Sequence, residues 1–162
     1  MDHLFTPWRF TYLQQVVGPP PPDCIFCHAL AGTRDDESLI IHRGNHCFII
    51  LNRYPYTSGH VMIVPNAHVA ELASCPAPAL DEMMQLAQRV EQAFAATYKP
   101  DGMNLGMNVG RAAGAGVAGH IHLHALPRWF GDSNFMSVVG ETRVLPEELT
   151  QTYQRLKSAL GT

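Results

Sequence analysis

Three histidines, His120, His122 and His124, occupy every second position of a run that reads Gly119-His120-Ile121-His122-Leu123-His124-Ala125-Leu126-Pro127-Arg128. Alternate side chains of a β-strand point to opposite faces, so the run predicts a strand with Ile121, Leu123 and Ala125 packed inward. The three imidazoles then share the other face, with neighbours roughly 6–7 Å apart. Such a row can line a phosphate chain, or touch a metal at one end. Imidazole is largely neutral at pH 7, with an ordinary pKa near ~6.5, and can carry a phosphoryl group as a covalent intermediate. The middle residue, His122, has an imidazole on either side to assist it and is the expected nucleophile. The alternative, a solvated strand face rich in His by chance, would carry Lys, Glu and Thr instead.

A glycine-rich segment leads directly into the histidines, with Gly110, Gly114, Gly116 and Gly119 spaced along it. Glycine lets a backbone approach closely, so amide N–H groups there can converge on anionic oxygens. Donors of this kind are often worth ~3–4 kcal/mol each when charge develops on an oxygen.

A second group with chemical potential lies far upstream. Cys24 and Cys27 form a C-x-x-C pair, a chelate of the type zinc favours, but only half of a site. A redox dithiol would want a thioredoxin-like βαβ pattern, which the flanking residues lack, and two inert buried thiols are the third reading. If a metal is held, two ligands must come from elsewhere, with His68 and His120 the leading candidates.

The elements that must position these groups follow in chain order. A short helix is expected around Phe26–Leu30, ended by Gly32. Strand-like runs follow over 38–42, 46–52 and 60–65, the first two joined by the turn residues Arg43-Gly44-Asn45. Pro76 and Pro78 suit the first turn of a helix that carries Leu80, Met83, Met84, Ala87, Val90, Phe94 and Tyr98 at helical spacing. Its methionines read as core filler. Strands over 103–109 and through the histidine run complete an antiparallel sheet. Residues 129–144 read as an irregular wrap, and Pro146 opens a final helix with Leu149, Tyr153, Leu156 and Leu160 on one face. The fold class is α+β: a five-stranded antiparallel sheet with flanking helices.

Residues 1–22 form an arm and spacer, and 23–162 a single domain. The arm carries Phe5, Trp8, Phe10 and Tyr12 and ends in four prolines. It either docks on the domain or on a second subunit, or remains a disordered tail. A net charge of -3 argues against a nucleic-acid binder. No apolar run reaches the length of a membrane span. The opening residues lack the basic region and apolar core of a signal peptide, and the four cysteines are not spaced as a disulfide framework. A cytoplasmic protein is expected.

His120-x-His122-x-His124 followed by two apolar residues resembles the signature of the histidine-triad superfamily of nucleotidyl hydrolases and transferases. The likeness covers about residues 24–130. Pro7-Trp8-Arg9, Asn52 through Pro65, Asn104 through Gly110, and Pro127 through Phe135 extend it toward the branch that contains diadenosine tetraphosphate phosphorylases. The resemblance implies a homodimer whose sheets join, and cleavage of dinucleoside polyphosphates at the α-phosphate through a nucleotidyl-His122 intermediate. The acceptor would be inorganic phosphate or water. It implies an adenine-nucleotide site in which Asn52 meets the ribose, Asn108, Gly114, Gly116 and Val117 surround the phosphates, and His124 bonds the phosphate or the leaving group. Asn108 could instead only cap a turn. It also implies a structural zinc held by Cys24, Cys27, His68 and His120. Two other activities stay open: hydrolysis of nucleoside phosphoramidates or adenylyl conjugates, and nucleotide binding without turnover.

One departure from the family pattern bears on mechanism. Relatives commonly carry Gln, Ser or Thr a few residues before the first histidine of the triad, where it helps protonate the leaving group. Here Ala115, Gly116, Val117 and Ala118 stand in that region, so a proton must come from His124, water or a residue elsewhere.

Overall fold

Strand β2 (Cys47–Leu51) is buried along its whole length, and its unbroken apolar sequence follows from having packing partners on both faces. The computed structural model describes residues 24–133 and 147–161. The aromatic arm, the proline spacer, Pro146 and the stretch from Asn134 onward in the expected wrap lie outside the described residues. Beside β2 run β1 (Ile40–Arg43) and β3 (Val61–Pro65); β5 (Leu123–Arg128) pairs with β3, and β4 (Gly102–Met107) closes the far edge. The order is β1-β2-β3-β5-β4, with every pairing antiparallel. The expected five-stranded antiparallel sheet is therefore present.

Alternation along the strands divides the interior in two. On one face Ile49, Leu51, Val61, Ile63, Leu123 and Ala125 pack with helix α3 (Ala77–Thr97) and helix α4 (Leu149–Leu160). Helix α3 supplies Met83, Leu86, Ala87, Val90 and Phe94, and α4 supplies Tyr153, Leu156 and Leu160. On the other face Phe48, Ile50, Met62 and Val64 meet Phe26 and Ala29 of helix α1 (Ile25–Ala31). Register pairs Met62 with His124, which places His124 on the α1 face. Because α1 follows Cys24 directly, the same helix that fills this layer with Phe26 delivers the cysteine pair to it.

Several local expectations are corrected. A four-residue helix α2 (Asp35–Ser38) occupies the start of the expected first strand, and Leu39, at a left-handed φ of 65°, ends it. Arg43 braces this region: its guanidinium donates to the Leu30 and Gly32 carbonyls, each at 2.7 Å, and to Asp35, tying the end of α1 and the start of α2 to β1. Met84 is exposed rather than core, because it lies one residue around the helix from Met83, which is buried with Leu86. The turn between β1 and β2 is held by Glu82 of α3, whose carboxylate accepts the backbone N–H groups of Asn45, His46 and Cys47. Gly44 makes this possible, since a Cβ there would lie 2.7 Å from the Glu82 Oε1 and 2.8 Å from the Cys47 oxygen.

The histidine strand is also shorter than expected. Ladder pairing begins at Leu123 opposite Ile63, and His120 through His122 precede it. Beyond β3 the chain leaves the sheet, and the carbonyl of Pro65 takes its hydrogen bond from the His120 ring, Nε2 to O 2.9 Å. The amide of Ile121 bonds the Val69 carbonyl instead.

Candidate active site and metal-ligand cluster

The three triad imidazoles are buried, at 0 % exposure for His120, 4 % for His122 and 9 % for His124. Their face of the strand is thus covered rather than solvated. His122 and His124 rings lie 4.9 Å apart between centroids, edge to face, closer than strand spacing alone predicts because the rings tilt toward each other. Phe26 contacts both His120 and His122, at 5.5 and 5.0 Å between centroids.

His122 is held through its Nδ1, which lies 2.9 Å from the main-chain oxygen of His120. A carbonyl only accepts, so Nδ1 carries the proton and Nε2 is left with its lone pair. Burial pushes the His122 pKa below its ordinary value, keeping the ring neutral. A neutral imidazole with a bare Nε2 is a nucleophile in form.

His124 is held by a residue that the sequence pattern did not single out. His60, immediately before β3 and 1 % exposed, places its Nε2 2.9 Å from the His124 Nδ1. Burial, then the neighbouring imidazoles, push His60 down to about 3, and the same causes push His124 down to about 4. Tyr56 stacks obliquely on His60 at 4.7 Å. Asn52, expected at the ribose, uses its carboxamide locally: Oδ1 accepts the Tyr54 N–H at 2.9 Å and Nδ2 lies 3.3 Å from the His60 Nδ1. In the sequence His60 is only the polar start of an apolar run, and the pairing of β3 with β5 is what brings it to the triad.

Asn108 lies just past the end of β4, partly buried. Gly114 adopts φ of 88° at the end of a 3-10 turn over Arg111–Ala113, a conformation that favours glycine. Gly116 is exposed, whereas Val117 packs against the layer that contains Phe26.

At the other end of the triad four ligand-type residues meet. Cys24, Cys27, His68 and His120 bring their ligand atoms within 4.8 Å of one another. Cys24 Sγ lies 3.3 Å from the His120 Nδ1, and Cys27 Sγ lies 3.3 Å from the His68 Nδ1 and 3.7 Å from the His120 Nδ1. The His120 Nε2 proton is spent on Pro65, which turns Nδ1 toward the thiols as a ligand nitrogen. Two thiols and two imidazoles are the set a metal such as zinc binds tetrahedrally, so this cluster could hold a metal ion.

Comparison with known proteins agrees with this arrangement. Residues 33–131 match the HIT domain family. The chain is 34% identical over 161 residues to the AP-4-A phosphorylase of Mycobacterium tuberculosis, covering 96% of this chain and 83% of that protein. It is 31% identical over 106 residues to the adenylylsulfatase HINT3 of Arabidopsis thaliana, 65% of this chain and 52% of that protein. A zinc-bound histidine triad family protein from Mycobacterium smegmatis superposes with a TM-score of 0.71 at 30% identity, over 86% of this chain and 94% of that one. With its buried histidine row carried on a five-stranded sheet and these matches spanning most of its length, the chain belongs to the HIT domain family.

Proposed function

We propose that the protein cleaves dinucleoside polyphosphates such as diadenosine tetraphosphate at the α-phosphate, passing the nucleotide through His122 to inorganic phosphate or water. The observation that carries this reading is the His122 ring itself: neutral, buried, and presenting a bare Nε2 because Nδ1 donates to the His120 carbonyl. The Nε2 lone pair forms a bond to the α-phosphorus, the P–O bond to the polyphosphate breaks, and that oxygen leaves with the electron pair. In the second step an oxygen of the acceptor attacks the same phosphorus and the N–P bond returns its pair to Nε2. Asn108, Gly114, Gly116 and Val117 would line the phosphates, His124 would bond a phosphate oxygen, and Asn52 would act from the ribose side. The likeness to a named AP-4-A phosphorylase supports phosphate as the acceptor, and the likeness to an adenylylsulfatase favours an adenylyl conjugate as the second reading.

Zinc held by Cys24, Cys27, His68 and His120 would be structural: with four protein ligands it leaves no open position for substrate and ties α1 to the triad. A homodimer joined along β4 would complete the assembly. Among the described residues that strand pairs on one side only, and Leu105 on it and Val109 just beyond are each 43% exposed.

Product analysis with diadenosine tetraphosphate tests the activity. ATP plus ADP, formed only when phosphate is present, indicates phosphorolysis; ATP plus AMP indicates hydrolysis. No turnover with or without phosphate, while an adenylyl conjugate is cleaved, would replace the first reading by the second.

A further inference from the structure

We propose that Arg111 forms a distal-phosphate subsite, its guanidinium binding the phosphates beyond the scissile bond and so selecting a polyphosphate chain over a bare nucleotide conjugate. This rests on the reading of the triad as a nucleotidyl-transfer site.

The backbone that carries Arg111 is held at several points. Gly110, at φ of 81°, and Gly114, at 88°, bound the 3-10 turn Arg111–Ala113. The Gly114 N–H bonds the Arg111 carbonyl at 2.9 Å, and the His120 N–H reaches the Val117 carbonyl at 3.4 Å. Val117 packs against the layer of Phe26. Beside this held backbone the molecule is open. Gly106 stands opposite His124 in the register of β4 with β5, so the two positions share a face of the sheet. A Cβ built at Gly106, Gly110 or Gly114 would meet no atom within 4 Å. The flank of His124 is thus uncovered at β4, and the turn is uncovered on both sides of Arg111, which leaves room for an anionic chain to lie against backbone.

The charge balance singles Arg111 out. Arg34, Arg43, Arg128 and Arg155 each pair with a carboxylate, and Arg89 is bonded to His42 and the Leu160 carbonyl. The exposed guanidinium of Arg111 has no ion pair or hydrogen bond among the described residues. No Asp or Glu occurs between Asp101 and Asp132, the stretch that holds Arg111 and all three triad histidines. In a chain of net charge -3, a polyanion meets least repulsion beside such a stretch. The side chains of Arg53 and Lys99 are also unpaired among the described residues. Arg53, however, follows Asn52 on the ribose side, and Lys99 precedes β4 at the end of the strand away from the glycine segment.

The reaction calls for a group of this kind. When the bond to the α-phosphorus breaks, the electron pair stays on the departing oxygen, and the polyphosphate leaves with that oxygen negatively charged. Ala115 and Gly116 offer no side chain to protonate it. A guanidinium supplies charge and a planar fork of donors that matches two phosphate oxygens, without giving up a proton. An adenosine phosphoramidate has no phosphate beyond the α and gives Arg111 nothing to hold.

Calorimetric titration of the full-length protein tests this without turnover, with AMP and with a methylene-bridged, uncleavable analogue of diadenosine tetraphosphate as probes. Arg111→Ala should weaken the analogue by on the order of tenfold and leave AMP within about twofold. Arg111→Lys, which keeps the charge but not the fork, should fall between. Lys99→Gln, which removes the same charge elsewhere, should change neither affinity beyond about twofold. Added salt should weaken the analogue more in the wild type than in Arg111→Ala. In turnover, kcat/KM of Arg111→Ala should fall about tenfold for diadenosine tetraphosphate and stay within about twofold for adenosine phosphoramidate. Equal losses for the analogue and AMP would make Arg111 a support of the loop, and no loss for either would leave it as plain surface; each overturns the proposal. So does an equal loss in Lys99→Gln, or a wild type that binds AMP as tightly as the analogue. A protein that holds the analogue through Arg111 yet cleaves no dinucleotide would refute the proposed function and leave the subsite standing.

Discussion

The ring of His122 hangs from the backbone of His120: Nδ1 and the main-chain oxygen are 2.9 Å apart. His120 is itself fixed through both ring nitrogens, to the Cys24 Sγ at 3.3 Å and to the Pro65 carbonyl at 2.9 Å. One residue therefore separates the candidate metal cluster from the candidate nucleophile, and whatever loosens the first must loosen the second.

Metal removal should show this coupling. Binding free energy at a closed site is folding free energy. Chelation, or Cys27→Ser, should lower the melting temperature by roughly 10 °C and reduce turnover with it. Elemental analysis of protein purified without chelator should give near one zinc per chain. Well below one, with Cys24 and Cys27 freely alkylated in the native state, would leave plain thiols.

Replacing the nucleophile should separate chemistry from binding. His122→Asn removes the attacking nitrogen while filling much of the same space. Turnover should vanish, with nucleotide affinity kept within about an order of magnitude. Residual activity above a few per cent of wild type, measured in steady state, would move the covalent role elsewhere.

The row of histidines and the C-x-x-C pair could be read in advance because each is a short-range pattern of unusual residue types, whereas His68, 41 positions from Cys27, entered the ligand set through the family resemblance. The strand alternation that places Leu123 and Ala125 in the core could be read for the same reason. His60 could not: its partner His124 is 64 positions away, and before the fold is known it is only the polar start of an apolar strand. Glu82 and Arg43 were equally silent, since a single charge on a helix or strand end reads as solvated surface until three amides or two carbonyls are found around it. Met84 failed in the opposite direction, because one step of about 100° on a helix separates core from solvent.

Acid should weaken the fold in a defined window. His60 titrates at about 3 and His124 at about 4 in the folded chain, against 6.5 for an ordinary imidazole. Below 6.5 the unfolded chain takes up protons that the folded rings refuse. Their contribution is thus fully present above 6.5 and declines as pH falls toward 4 and then 3. The slope is about 1.4 kcal/mol per pH unit for each ring. Urea midpoints at pH 7, 5.5 and 4.5 should fall in that order, and His60→Phe should show a shallower decline. Equal slopes for the two proteins would mean that His60 is not held neutral.

The exposed edge should govern assembly. Leu105 lies on β4, which among the described residues has a neighbour on one side only, and a charge there opposes strand addition. Sedimentation should find a dimer for the full chain at micromolar concentration and a monomer for Leu105→Lys, with the melting temperature of the variant lower and concentration-independent. A strictly monomeric wild type would remove the dimer from the proposal.

Glu82 offers the sharpest stability test away from the histidines. Its carboxylate accepts three consecutive backbone N–H groups, from Asn45, His46 and Cys47. Burial raises its pKa, but the three amides outweigh that and hold it below the usual carboxylate range. Of the three donors, Asn45 and His46 lie in an exposed turn and can turn to water, whereas Cys47 is buried in β2. Glu82→Ala should therefore cost about 1–3 kcal/mol, the penalty of one orphaned buried donor, rather than three times that. Glu82→Gln, which keeps one acceptor oxygen, should lose less. The carboxylate contribution is present above the ordinary carboxylate range and is lost as pH falls through the depressed folded pKa, so the wild-type advantage over Glu82→Ala should shrink in strong acid. Denaturant midpoints at neutral and acid pH measure both effects, and a Glu82→Ala variant as stable as wild type at pH 7 would show that water satisfies all three amides.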